Sequence, residues 1–192
     1  MKKILIGTHN HGKFKEIAYL VSKKYKKIPP KSLNIPSPKE TGKTFSSNSK
    51  LKADFFSKFV NFPVISDDSG LCVKSLNNQP GIYSARWAKK YGNFYKAMQY
   101  ILQKLKNKKD RSATFVCSLS FKKPSGKTIT VSGKIKGKIS SKIIGKKGFG
   151  YDPIFLPHNQ KITFGQMEHK KKINMDHRFK AFKNLKRKVK IL

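Results

Sequence analysis

Two adjacent carboxylates, Asp67 and Asp68, follow the short apolar run Pro63-Val64-Ile65-Ser66 and precede Ser69-Gly70. Carboxylates side by side at a strand end repel one another, which costs stability unless a cation or hydrogen bonds compensate. Hard oxygen donors in that position suit Mg²⁺, which keeps most of its waters and binds through one or two carboxylates plus substrate phosphates. A carboxylate beside such a metal also orients or deprotonates an attacking water. The plainer reading is an Asx turn. Scarcity favours the chemical reading. The 192 residues hold only nine acids, Glu16, Glu40, Asp54, Asp67, Asp68, Asp110, Asp152, Glu168 and Asp176, against 44 Lys and Arg, and two of the nine are neighbours.

Three other groups are candidates. Thr8-His9-Asn10-His11-Gly12-Lys13 ends a strand-like run and leads into a helical one. Free backbone N–H groups and the positive end of a helix dipole make such a turn a cradle for phosphate oxygens, with Lys13 adding charge and Asn10 a donor. An ordinary polar turn capping a helix explains the same residues. His9-x-His11 has a spacing found in metal sites, but no acid lies close in sequence, so a surface role is the better reading. Gly148-Phe149-Gly150-Tyr151-Asp152-Pro153 sets two aromatics and an acid among glycines, a pattern suited to stacking on a flat base. Lys172 and His177-Arg178 lie near the start of the last helical segment. Only Arg86, Arg111, Arg178 and Arg187 are arginines in a chain that otherwise chose Lys, so Arg86 and Arg178 stand where a planar fork has a use that a point charge has not.

Several classes are excluded. No glycine-rich phosphate loop with its Lys-Ser/Thr is present, since Gly145 to Gly150 has the first spacing but continues with Tyr151. No dinucleotide fingerprint follows a strand, and three Glu are too few for a multi-glutamate hydrolase helix. Cys72 and Cys117 alone make neither a disulfide framework nor a cysteine metal cage. No apolar stretch approaches the roughly 20 residues of a membrane span, and the first run turns polar at Thr8, too soon for a secretory signal. The chain is expected to be cytoplasmic. The formal charge of +35 attracts polyanions. Lys spread along the whole chain reads as a solvated surface rather than a nucleic-acid reader, and a basic nucleic-acid-binding protein is the alternative.

The elements that must position these residues are alternating strands and helices, then a hairpin. Residues 2–7 read as a buried strand, and Phe14, Ile17, Leu20 and Val21 as the apolar face of a helix. Residues 26–43 are mostly loop around one short strand, and Thr44 to Val60 form a helix with Thr44 or Ser46 near its start. Pro63–Ser66 is a strand ending at the Asp pair. Tyr91–Lys106 is a helix, Ser112–Phe121 and Lys127–Ile135 are a β-hairpin, and 177–189 a basic helix. With no repeat and no long linker, the whole of 1–192 is expected to form one mixed α/β domain.

Six segments together are similar to the inosine triphosphate pyrophosphatases, the house-cleaning hydrolases of non-standard purine nucleotides. They are Thr8 to Lys13, Glu40 to Asn48 with Lys52-Ala53, Asp67 to Leu71, Pro80-Gly-Ile-Tyr-Ser-Ala-Arg86, Gly148 to Pro153, and Lys172 with His177-Arg178. They stand in the family's order from residue 8 to 178. The resemblance implies an elongated, two-lobed α/β fold, its long central mixed sheet flanked by helices, with the nucleotide in a cleft between the lobes, and a homodimer. It implies Mg²⁺-dependent hydrolysis of ITP, dITP and XTP to the monophosphate and pyrophosphate. Carried over by position, Thr8, His9, Asn10, His11, Gly12 and Lys13 hold the triphosphate with help from Lys52. Asp68 is the proton acceptor and a metal ligand, supported by Asp67 and Glu40, and Ser69 contacts the nucleotide. Phe149, Gly150, Tyr151 and Asp152 stack on and read the base, and Lys172, His177 and Arg178 recognise a 6-keto purine, whose oxygen takes donors that adenine's amine would leave unpaired. Nucleic acid is expected as a non-specific partner only.

The chain departs from the family's pattern at three places. His9 replaces a glycine and is expected to strain the loop if that glycine serves a positive φ. Ser47 stands where an acid commonly precedes Asn48, and Asp176 where Ser precedes His-Arg.

Overall fold

The computed structural model describes residues 1–189. Seven strands form one sheet: β1 (Lys2–Gly7), β2 (Tyr25–Ile28), β3 (Val64–Val73), β4 (Gln79–Pro80), β5 (Ser112–Lys122), β6 (Ile129–Ile139) and β7 (Phe155–Pro157). Their order is β2-β1-β3-β5-β6-β7, with β4 paired to β3. β1 runs parallel to both β2 and β3, with Leu5 opposite Val64 and Gly7 opposite Ser66. Parallel neighbours need crossovers, supplied by α1 (His11–Leu20) between β1 and β2 and α2 (Phe45–Phe56) between β2 and β3. The later helices are α3 (Ser84–Lys90), α4 (Phe94–Lys104), α5 (His169–Ile173) and α6 (His177–Lys188).

The chain divides into two compact units. The first comprises Met1–Asp68, Cys117–Gly133 and the chain from Arg178; the second comprises Ser69–Val116 and Lys134–His177. In the first unit β1 is covered on both faces, which is why its sequence is continuously apolar instead of alternating. Ile4 and Ile6 join Ile17 and Val21 of α1 and Ala181, Phe182 and Leu185 of α6 in one core, while Leu5 packs with Ile35, Phe56 and Val64 on the other side. The basic helix α6 is thus anchored by its apolar residues and keeps its lysines toward solvent. In the second unit α4 buries Ala97, Met98 and Ile101 with Leu71, Phe115, Ile135, Phe155 and Phe164. The i, i+1, i+4 spacing on α4 is the helical pattern the sequence shows.

Local signals set the helix starts. Asn10 caps α1 by accepting from the Lys13 N–H, and Asn93 caps α4 by accepting from Lys96. Thr44 and Ser47 form a reciprocal capping box on α2, so a hydroxyl at position 47 does the work usually given to a carboxylate there.

The structure corrects two expectations and adds a helix. β3 does not stop at Ser66 but runs ten residues through Asp67-Asp68-Ser69-Gly70 to Val73, so the carboxylates lie within a strand and not at its end. Helix α3 follows the Pro80-Gly81 turn, where its short length hides any periodicity. α2 ends at Phe56, short of Val60.

Candidate active site

In the first unit, alternation along β3 sends Asp67 and Asp68 to opposite faces of the sheet. Both are buried, with 0% and 4% exposure, so each needs its own compensation. For Asp67 it is cationic. Its Oδ2 lies 3.3 Å from Lys13 Nζ and 3.5 Å from Arg178 Nη2, and Arg178 Nη1 donates to Glu16 Oε2 at 2.5 Å. Burial pushes the Asp67 carboxyl up, but Lys13 and Arg178 outweigh it and hold the group well below the ordinary carboxylate range. Burial lowers Lys13 in turn, and the Asp67 and Asp68 charges more than restore it, for a net rise.

Asp68 is treated differently. Its Oδ2 accepts from Asn48 Nδ2 at 3.1 Å. Burial raises its pKa and Glu40 adds to the rise, while Lys13, Lys52 and Asn48 oppose it, leaving the carboxyl above its ordinary value. One aspartate is locked as an anion and its neighbour is made a stronger base, a division of labour typical of reactive sites. Glu40 pairs with Lys52, Oε1 to Nζ, at 3.1 Å. The cluster of Glu16, Glu40, Asp67 and Asp68 against Lys13, Lys52 and Arg178 carries four negative and three positive charges.

The Thr8–Lys13 turn supplies the remaining surface. Thr8 is buried and its Oγ1 accepts the Asn10 N–H at 3.2 Å. His9 donates from Nε2 to the Ile35 carbonyl at 3.0 Å, and its ring lies 6.0 Å from Phe56. It is not among the residues of positive φ, so the expected strain is absent and the imidazole braces the loop instead. His11 is exposed, and Gly12 is half-buried in the first turn of α1. Among the described residues no group of three or more His, Cys, Asp or Glu is arranged to hold a metal unaided.

The second unit holds Ser69, half-buried on β3, and a separate arrangement around Lys172. Lys172, 2% exposed, donates to Asp152 Oδ2 at 2.6 Å, and its ammonium sits 4.7 Å from the Phe149 ring centre and 5.6 Å from that of Phe164. The same Asp152 oxygen accepts the Phe149 N–H at 2.8 Å. His177 stacks on Phe115 at 4.8 Å with planes 11° apart. A flat donor and a buried ammonium, both fixed by aromatic neighbours, can recognise carbonyl oxygens. Asp152 orients the ammonium and its glycine-framed loop instead of presenting a free acceptor.

Gly148 and Gly150 have φ of +74° and +65°, the left-handed region that glycine allows. A Cβ at Gly148 would fall 2.1 Å from Asp152 Oδ2. Gly148→Ala is therefore expected to displace the Asp152–Lys172 pair and to lower stability by about 1–3 kcal/mol; a thermal melt unchanged from wild type would contradict that.

Two sequence assignments move. Tyr151 is 2% exposed, its hydroxyl donates to the Ser84 carbonyl at 2.9 Å and its ring meets Phe94 edge-on, so it braces the loop and does not offer a stacking face. Arg178, expected to recognise the base, is bonded to Glu16 and Asp67. Sequence reasoning gave no role to Asn48, Glu16, Phe115 or Phe164. Asn48 stood inside a motif and Glu16 among the scarce acids; nothing in spacing marked the two phenylalanines.

A model of the Ham1 family matches residues 4–188. The dITP/XTP pyrophosphatase of Caulobacter vibrioides is 40% identical over 186 residues, 96% of each chain. That of Bartonella quintana is 41% identical over 201 aligned positions, 96% of this chain and 94% of the other. Among solved structures, a HAM1 protein from Coxiella burnetii matches with a TM-score of 0.88 at 31% identity over 100% of both chains. The Ham1 protein of Staphylococcus aureus matches with 0.87 at 36% identity over 98% of both.

Proposed function

The chain belongs to the Ham1 family, and from that premise we propose that it hydrolyses dITP, ITP and XTP to the nucleoside monophosphate and pyrophosphate, removing these nucleotides from the pool. The observation that carries the mechanism is the contrast between Asp67 and Asp68. Asp68, with its raised pKa, takes a proton from the water that attacks the α-phosphorus as the α–β anhydride bond breaks. Lys13 and Lys52 neutralise charge on the phosphates, and pyrophosphate leaves. In the second unit Lys172 and His177 donate to the 6-keto oxygen. An adenine amine would leave those donors unpaired in a buried setting, at a cost of about 1–3 kcal/mol each.

Mg²⁺ is the cofactor we propose. The carboxylate cluster fits it: Asp68 and Glu40 repel one another and the charge sum is negative, so a hard cation held by these two oxygen donors relieves both. Asp67, already bound by Lys13 and Arg178, supports this site through charge. When bound, the ion withdraws electron density from the phosphate oxygens. A homodimer and a cytoplasmic location complete the proposal. Both rest on the family resemblance. The net charge of +35 adds non-specific attraction to nucleic acid, which salt screens.

The test is the product mixture from XTP with Mg²⁺ and with EDTA. XMP and pyrophosphate in equal amounts, with EDTA abolishing both, is the expected result. Orthophosphate as the product, or turnover undiminished by EDTA, would contradict the reaction or its metal.

A further inference from the structure

Glu16 is 2% exposed in a chain with only nine acids, and nothing in the proposed chemistry uses it directly. It lies three residues after Lys13 on α1, so the two side chains leave the same face of the helix. Arg178, fully buried at the start of α6, spans from Glu16 to Asp67, and Lys13 returns to Asp67. The four side chains and the turn of α1 therefore close a ring of alternating charge, two positive and two negative. Its bonds are unequal. Arg178 lies 2.5 Å from Glu16 but 3.5 Å from Asp67, while Lys13 lies 3.3 Å from the same Asp67 oxygen.

We propose that Glu16 is a positioning residue for hydrolysis: by taking the shorter bond from Arg178 it keeps the guanidinium from closing fully on Asp67, so that Asp67 remains the anchor of the Lys13 ammonium. Without the Glu16 charge, Asp67 is a carboxylate to which the Arg178 guanidinium is already bonded. A guanidinium binds a carboxylate through two N–H donors, where Lys brings a single point charge. Arg178 then closes on Asp67 and Lys13 is displaced from it. The inference rests on the reading of Lys13 as a phosphate-binding group. It predicts a fault in the transition state, because Lys13 is the group whose position is lost.

The experiment measures kcat and KM for XTP with wild type, Glu16→Gln, Glu16→Asp, Lys13→Ala and the Glu16→Gln/Lys13→Ala double variant, each normalised to folded protein by circular dichroism. Glu16→Gln keeps shape and loses charge; it is expected to lower kcat roughly 10- to 100-fold with KM within about threefold, and Glu16→Asp to recover part of the loss. In the Lys13→Ala background the same change is expected to cost less than about threefold further, because the group it positions is already gone. Losses that multiply in the double variant, or a Glu16→Gln protein with wild-type kcat, would overturn the inference while leaving the reaction standing. Wild-type protein that releases no pyrophosphate would overturn both.

Discussion

Asp68→Asn is expected to lower kcat for XTP by about 10²- to 10⁴-fold, the range a positioned general base supplies, with the fold unchanged. The substitution preserves shape and removes the group that accepts the proton. Asp68 is 4% exposed and bonded to Asn48, and the surrounding Lys13 and Lys52 are balanced by Asp67 and Glu40. Loss of one negative charge at position 68 leaves three carboxylates against three cations, so the cluster becomes neutral and the variant is expected to fold. Initial rates and a thermal melt measured on the same preparation check both halves. Turnover within tenfold of wild type would remove Asp68 from its role as base.

Asp67→Asn, one residue earlier, is expected to fail in the opposite way. Its carboxylate is the shared partner of Lys13 and Arg178, and it has no exposure to solvent. Removing it leaves a buried ring of two cations and Glu16. Breaking a buried ion pair from one side costs about 3–5 kcal/mol, which for a chain of this size lowers the melting temperature by roughly 6–20 °C. The pH dependence follows from the direction of the Asp67 shift. The carboxyl titrates lower in the folded chain than in the unfolded one, so its charge stabilises the fold in full above about pH 4 and progressively less as pH falls through the folded value. The gap between wild type and variant is therefore expected to be widest near neutrality and to narrow on acidification. A gap that stays constant down to the acid transition would show that Asp67 acts through packing and not through charge.

Neighbouring aspartates with such different expected failures show how far the sequence could be read. The residues of both clusters were legible as motifs: the Asp pair, the Thr8–Lys13 turn, the glycine-framed Phe149 loop and Lys172 with His177 carry their chemistry in residue type and order. The strands and the longer helices were legible because burial imprints a period. What was not legible is set by long-range partners. Arg178 finds Glu16 across 162 positions, so no local pattern announces that pairing. Tyr151 looked like a stacking group, and its burial depends on the Ser84 carbonyl 67 residues away. β3 was expected to stop at a polar cluster. It continues because the cations that compensate Asp67 arrive from α1 and α6, and polar residues inside a strand are tolerated once their charges are met elsewhere. His9 is a similar case, since the Ile35 carbonyl gives it a use that its own segment does not suggest.

The central claim is that one buried base cleaves the triphosphate of purines selected by a 6-keto group. It is tested most directly by initial rates of pyrophosphate release from XTP and dITP against dATP, at equal concentration with Mg²⁺. Release from XTP and dITP at least about 100-fold faster, the discrimination expected when a buried donor is left unpaired by the wrong base, is the predicted result. Equal rates with all three nucleotides would contradict the roles given to Lys172 and His177.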